Sequence, residues 1–595
     1  MARQGRRWLC NALSIWTLLT TAISATSTAP QVKVRNGTYE GLHLASFNQD
    51  LFLGIPYAQD TGGQNRFRVP QSLNETWTGV REAKQYGHAC PDHTPKDDAE
   101  FGMSENCLSI NIVRPAGISP HAKLPIAVWI HGGSYQVGTS ALPYYNLTYI
   151  VQRSVEIGKP IIGASINYRK GGWGMMYSIE IQGSGNTNLA LRDMRKGLAW
   201  IQENIGGFGG DKDRVTIWGE SAGSFAVGQL LLSYGGRTDN LFHRSIQESG
   251  SAATAWYNGT SWYQPIYDKL VRQTNCTSSP DTLACLRAVP YTTIYPFLDS
   301  SKVGGPGFYP TVDGDIIPNY PTEMLRAGHF AHVPHLYGTN SDEGTDNAPP
   351  GIINTDDDLY NYLVGSTGYD FPPSTVREIM RLYPDDPSLG IPLNTGDERF
   401  EDKGKQYKRA AAIIGDVFYH ATRLDDARHY SAHAPTYIYR FNTRPWQNRT
   451  NETWTDFEGG LAPEYKGVQH FSEVQFVFGN PRFVGPWPEY QALSRTMSAL
   501  WIHFVNQGDP NGEDLPVWPE YTGGGRKGYG RGFAGYGDDG VSGNGNGTEG
   551  GKKTVGWNLV LQAEGRGQNG SFVERDDWRL EGREYLIQWA RRRHV

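Results

Sequence analysis

Nowhere in its 595 residues does the chain string together eighteen apolar side chains, the length a helix needs to cross a bilayer, so a bundle of membrane-spanning helices is excluded. No charge sign dominates. Lys and Arg number 55 against 61 Asp and Glu, a net charge of -6, which gives no basic footprint for a nucleic-acid partner. Cysteine is scarce, at five, and neither a Cys-x-x-Cys spacing nor an immediately adjacent histidine is present, so no metal site is expected. What is present is 38% apolar residues, enough for one very large domain or two to three ordinary ones.

The first thirty residues, "MARQGRRWLCNALSIWTLLTTAISATSTAP", place Arg3, Arg6 and Arg7 before a short apolar stretch and then small residues from Ala22 to Ala25. That is the layout of a cleaved secretory signal over residues 1–25, with cleavage between Ser24 and Ala29. A membrane anchor is the competing reading, and the interrupted apolar stretch is too short for it. Cys10 would leave with the signal, and an even set remains: Cys90, Cys107, Cys276 and Cys285. Three pairings are possible, and closeness in sequence favours Cys90 with Cys107 and Cys276 with Cys285. Nine sequons, at Asn36, Asn74, Asn146, Asn258, Asn275, Asn448, Asn451, Asn546 and Asn569, fit an exported glycoprotein and are each expected at the surface.

Strand-like apolar runs recur along the chain: "LPIAVWIHGG", "KPIIGASINYR", "DRVTIWGES", "HVPHLYGTNSDEG" and "APTYIYRFN". Between the second and third, Leu189, Leu191, Met194, Leu198 and Ile201 fall at helical spacing in a segment that stops at glycines. Buried strands joined by helical crossovers predict an α/β chain with a mainly parallel central sheet and helices on both faces. The stretch from about 521 to 553 is Gly-rich and almost devoid of aliphatic residues, and reads as a flexible surface insertion. Its Arg, Tyr and Gly content hints at RNA-binding repeats, which an exported chain does not favour. After it, "WNLVLQAEG" and "REYLIQWARRR" regain strand and helix character, so residues 26–595 are expected to form one domain with that insertion.

Gly219-Glu220-Ser221-Ala222-Gly223 is a Gly-x-Ser-x-Gly match, but with 72 glycines such a match is expected about 0.6 times by chance. Context decides. "VTIW" before it reads as a buried strand and "SFAVGQLLL" after it as a helix, so Ser221 is predicted on a strand-to-helix elbow. Glycines on either side would avoid a collision between a Cβ and the neighbouring strand or helix. The N–H of Ala222 at the helix start, with those of Gly132 and Gly133 after the run ending at His131, then makes a candidate oxyanion hole. A serine hydroxyl needs a base and a group to orient that base. "TNSDEGT" offers Asp342 and Glu343 as acids, and "GVQHFSEVQFVFG" offers His470 as base. His420 and His429, in a charged helix-like stretch, are read as solvated surface residues.

Eight ordered blocks, "GIPYAQ…RFRVP", "SENCLSINI", "HGGSY", "INYRKGGWG", "NIGGFGGDKDRVTIWGESAGS", "NSDEGT", "HFSEVQFVFG" and "HFVNQGDPN", resemble the type-B carboxylesterase and lipase family, over essentially everything after the signal. The resemblance implies an α/β-hydrolase fold, Ser221 as nucleophile, Glu343 rather than Asp342 as acid, His470 as base, and Gly132, Gly133 and Ala222 as oxyanion donors. It also implies both disulfides and an ion pair between Arg66 and Glu105. A carboxylic-ester hydrolase acting on a small-molecule ester or lipid, without cofactor or metal, is therefore expected. Stable membrane insertion is not expected, and oligomeric state stays open. A true lipase or sterol esterase, a tailoring esterase of secondary metabolism, and a non-catalytic cholinesterase-like binding protein are the alternatives. Two departures stand out: Asn106 replaces the usual aspartate of the Ser-Glu-Asp-Cys-Leu block, and only sixteen residues, rich in acids and lacking tryptophan, separate Cys90 from Cys107. That loop is expected to be a solvated cover rather than an amphipathic lid or a cationic aromatic cage.

Overall fold

The computed structural model describes residues 29–93, 101–299, 307–365, 371–448, 459–521, 555–565 and 568–592. The predicted signal, Asn451, Asn546 and the Gly-rich stretch past Tyr521 lie outside the described residues.

Among the described residues, eleven strands build one large mixed sheet. Its strands are β1 (Leu42–Leu44), β2 (Gln49–Pro56), β3 (Ser109–Pro115), β4 (Leu124–Ile130), β5 (Ile162–Ile166), β6 (Gly210–Glu220), β7 (Arg244–Glu248), β8 (His335–Asn340), β9 (Thr436–Phe441), β10 (Trp557–Leu561) and β11 (Phe572–Arg575). Across the sheet they run β11-β10-β9-β8-β7-β6-β4-β5-β3-β2-β1. Every pairing from β5 through β4, β6, β7, β8 and β9 to β10 is parallel. The edges, β3-β2-β1 on one side and β11 on the other, are antiparallel.

The central strands read as nearly continuous apolar runs because both of their faces are covered. In β4, Ile126, Val128 and Ile130 join Leu191, Met194, Leu198 and Ile201 of the helix Leu189–Asn204 in one buried cluster. Ala127 and Trp129, on the opposite face, join Leu500 and Trp501 of the helix Pro488–Gln507 in another. Register then positions the chemistry: Ile130 pairs with Gly219, and Glu220 with Glu248, so β4, β6 and β7 end level with one another.

After the Gly-rich stretch the chain returns to the same sheet. Trp557 N–H donates to the Tyr521 carbonyl at 3.0 Å, and β10 pairs with β9. The closing segment is fastened by Asp576, which takes charge-assisted hydrogen bonds from Arg423 (2.7 Å) and Arg583 (2.8 Å), all three being buried.

This docking overturns the reading of His420 as a solvated residue. His420 is 1% exposed, its Nδ1 lies 3.1 Å from Thr339 Oγ1, and burial, followed by nearby guanidinium groups, pushes its pKa well below the ordinary value. The charges around it looked like a wet face, but Asp416 and Asp425 pair inward with Arg579 and Arg591 of the C-terminal segment. His429 is partly exposed and sits 3.6 Å from Asp425.

Candidate active site

The elbow follows from sterics. Ser221, between β6 and the helix Ala222–Gly236, has φ 56° and ψ −124°, a conformation costly for any residue with a Cβ. Its backbone is held by Ser221 N–H to the Glu248 carbonyl and Phe225 N–H to the Ser221 carbonyl, each at 2.9 Å. A Cβ on Gly219 would lie 2.5 Å from the Gly223 carbonyl carbon, and one on Gly223 would lie 2.0 Å from the Ile130 carbonyl oxygen. Glycine is required at both places by close backbone approach.

Glu343 follows the end of β8 in a short 3-10 turn and is fully buried. Its Oε2 accepts from His470 Nδ1 at 2.7 Å, while Oε1 accepts from the Asn340 backbone N–H at 2.7 Å and from Ser249 Oγ at 2.5 Å. In the neutral ring, a carboxylate on Nδ1 places the imidazole proton there, which leaves a lone pair on Nε2. That nitrogen has no hydrogen-bond partner among the described residues and lies 3.2 Å from Oε1 of Glu220, the neighbour of Ser221. Asp342 turns elsewhere. Its two oxygens accept backbone N–H bonds from Leu393 (2.8 Å) and Val468 (2.7 Å), and burial raises its pKa to about 6. Asp342 thus anchors the loop that carries His470.

Three further acids surround this pair. Glu220 is buried without a hydrogen bond to Oε1, and burial pushes its pKa well above the carboxylate range. Glu248, also raised by burial, accepts from the indole N–H groups of Trp218 (2.8 Å) and Trp501 (2.6 Å). Glu473 accepts from Asn340 Nδ2 at 2.6 Å and is pushed up to about 7 by burial and then by Glu343. His470 feels three carboxylates: burial alone lowers its pKa, but Glu220, Glu343 and Glu473 outweigh that and raise it to about 10. Burial of Glu220 opposes its ionisation, so Glu220 and His470 compete for one proton. Tyr419, on a π-helical turn Asp416–His420, lays its ring against His470 with centroids 4.8 Å apart. Sequence reasoning missed Glu248, Glu473, Ser249 and Tyr419. Only the place of Glu473, three residues beyond His470, was a usable signal.

The loop after β4 runs alongside the elbow. A Cβ on Gly132 would meet Ser221 Cβ at 3.0 Å and the Glu220 carbonyl at 2.8 Å, and Gly133 has φ +99°. The N–H groups of Gly132, Gly133 and Ala222 donate to no described residue. His131 stacks on Tyr168 with ring centroids 4.4 Å apart and donates from Nδ1 to the Gly132 carbonyl at 2.9 Å. Burial, then the nearby Lys170 charge, lowers its pKa to about 3, so it is neutral. The Tyr168 hydroxyl donates to the His131 carbonyl at 2.7 Å.

Both disulfides are present, Cys90 to Cys107 and Cys276 to Cys285. Arg66 binds Glu105 through two bonds of 2.6 and 2.7 Å and also donates to the carbonyls of Leu286 and Val289, which ties the two disulfide loops together. At Asp92, the loop between Cys90 and Cys107 is less solvated than expected. Asp92 is 2% exposed and paired with Lys170; Asp97, Asp98 and Glu100 lie outside the described residues. Among the sequons, Asn74, Asn275 and Asn569 are exposed, whereas Asn36, Asn146 and Asn258 are half-buried. The Asn258 amide nitrogen is itself buried, contrary to the expectation that every sequon is at the surface. The side chain of Asn448 is outside the described set.

A mainly parallel sheet with a strained serine elbow on its central strand and a histidine–carboxylate pair on following loops defines the α/β-hydrolase class. The solved structure of EstA from Aspergillus niger is similar at a TM-score of 0.74 and 25% identity, covering 95% of this chain and 99% of that one. The family model described as the carboxylesterase family matches residues 28–529, and the chain belongs to that family. Relatives include Lipase 2 of Geotrichum candidum, 32% identical over 80% of this chain and 86% of its own length, and Secreted lipase 1 of Botryotinia fuckeliana, 31% identical over 84% and 89%.

Proposed function

We propose that the protein is a secreted serine esterase that cleaves carboxylic esters through an acyl-enzyme. The observation that carries this reading is the hydrogen bond of 2.7 Å from His470 Nδ1 to Glu343, with Nε2 placed 3.2 Å from Oε1 of Glu220, the residue before Ser221. His470 takes the Ser221 proton as the hydroxyl attacks the ester carbonyl, and Glu343 stabilises the imidazolium. The N–H groups of Gly132, Gly133 and Ala222 receive the oxyanion of the tetrahedral intermediate. His470 then hands its proton to the leaving alcohol, and water repeats the cycle on the acyl-serine.

Export is supported by the signal-like start, the two disulfides and the secreted relative. No helix among the described residues is long and apolar enough to cross a membrane. The lipase names of several relatives support a lipid ester as the second reading. The test is Ser221→Ala: kcat on p-nitrophenyl butyrate falls by at least about 10³-fold at unchanged melting temperature. More than a few per cent residual activity would sink the assignment.

A further inference from the structure

A lysine with no exposed surface in a hydrolase needs an explanation. Lys170 follows the chain segment after β5, and its side chain and that of Asp92 are both 0% exposed. Its Nζ donates to the Asp92 carboxylate and to the carbonyl of Gly138. Burying an ammonium is costly unless it is both paired and hydrogen-bonded, and here both conditions are met by groups from two different loops. Asp92 stands two residues beyond Cys90, and its own carbonyl accepts from the Tyr295 hydroxyl at 2.6 Å. Gly138 closes the loop that begins at Gly132: its φ is +100°, and a Cβ there would meet His131 Nδ1 at 3.0 Å and the Gly132 carbonyl at 3.1 Å. The next residue adds a second hold, since Gly171 N–H donates to the Tyr135 carbonyl at 2.7 Å.

We propose that Lys170 is a positioning residue that clamps the oxyanion loop, residues 132–138, to the anchored base of the Cys90–Cys107 loop. The proposal rests on the serine-esterase reading. An oxyanion donor acts only if its N–H points at the place where charge develops, and a displacement of about 1 Å costs on the order of 100-fold in rate. Glycine-rich backbone at 132, 133 and 138 has little stiffness of its own, so its geometry must be imposed from outside. Lys170 imposes it at Gly138, and Asp92 fixes the lysine. The same bonds hold Asp92, at the base of the disulfide loop, in place.

The test uses the full chain with Lys170→Met, Asp92→Leu and the double substitution, reading melting temperature together with kcat and KM on a dissolved short-chain ester. Each single variant strands a buried charge and melts well below the parent. The double variant removes both charges and regains most of the lost melting temperature, yet its kcat stays at least tenfold below the parent with KM within about twofold. A double variant whose kcat recovers together with its melting temperature would overturn the proposal, because the pair would then be structural only. Should the double variant not fold, Tyr295→Phe loosens the same anchor without stranding a charge. A drop of about threefold in kcat at constant KM supports the clamp, and an unchanged kcat overturns it. Activity retained by Ser221→Ala instead refutes the esterase reading, a result separable from all of these.

Discussion

At the scale of single residues, adjacent carboxylates serve different partners. Glu343 meets the imidazole, and Asp342 meets two backbone N–H groups on the loops of Leu393 and Val468. Glu343→Gln keeps shape but removes the charge that stabilises the imidazolium, so kcat falls by at least about 100-fold with little change in melting temperature. Asp342→Asn presents an N–H₂ to a backbone donor and costs about 1–3 kcal/mol of stability, with a smaller loss in kcat. The reverse ranking in a paired kinetic and calorimetric comparison would mean that the roles are exchanged. Glu220 gives a pH prediction. The base must be neutral to accept the serine proton, so kcat/KM rises with pH through the His470 titration, which the acidic shell displaces above its ordinary 6.5. Glu220→Gln removes the strongest Coulombic influence that raises it, and the acid limb moves to lower pH by about 1–3 units. A limb that stays in place would show that Glu220 keeps its proton throughout.

At the scale of elements, the buried carboxylate of Asp576 joins the C-terminal segment to Arg423 of the helix Ala421–Ser431. Burial would raise the pKa of Asp576, but Arg423 and Arg583 more than offset it and lower it from 3.8 to about 2. A depressed folded pKa means that the unfolded chain takes up the proton first as pH falls. The stabilisation is therefore complete above 3.8 and is lost as pH drops through about 2. Asp576→Asn leaves two guanidiniums, on Arg423 and Arg583, buried without their carboxylate, at a cost of about 3–5 kcal/mol near neutral pH. Between pH 4 and 2 its stability is expected to fall less steeply than that of the parent, as read from denaturant midpoints. An equal slope would place the acid sensitivity elsewhere.

At the scale of the whole molecule, the ends of the Gly-rich stretch meet. Tyr521 N–H donates to the Thr436 carbonyl at 2.8 Å and Trp557 N–H to the Tyr521 carbonyl at 3.0 Å, so the sheet is continuous across it. Replacing residues 522–554 by a short Gly-Ser turn is expected to leave kcat within about twofold and the melting temperature within a few degrees, since loop-closure entropy changes slowly with length. Failure to recover folded protein would assign that stretch a structural role. Substrate presentation is decided at this scale too. Interfacial activation needs a cover whose apolar face swings open to lipid. Here the base of the Cys90–Cys107 loop is fixed by the Asp92–Lys170 and Glu105–Arg66 pairs. Initial rates on tributyrin are expected to saturate smoothly across its solubility limit; a steep rise there, with strong long-chain activity, would favour the lipase reading.

The sequence by itself determined the local features: the strands, the helix Leu189–Asn204, the elbow at Ser221 and the order of the following acid and histidine. Each is written in side-chain periodicity or in glycines that a close approach demands, and such signals span a few residues. Its residues offered both Asp342 and Glu343 and the family resemblance favoured Glu343; neighbours at a strand end face different ways, and the packed loops bring Glu343 to His470. Tertiary structure alone decided that His420 is buried, that Glu220 and Glu473 crowd His470, and that Lys170 lies inside. Burial of a charge depends on a partner distant in the chain, as Arg423 is from Asp576 and Lys170 from Asp92. No local pattern records such a pairing, so a buried ion pair and a solvated charge look alike until the chain is folded.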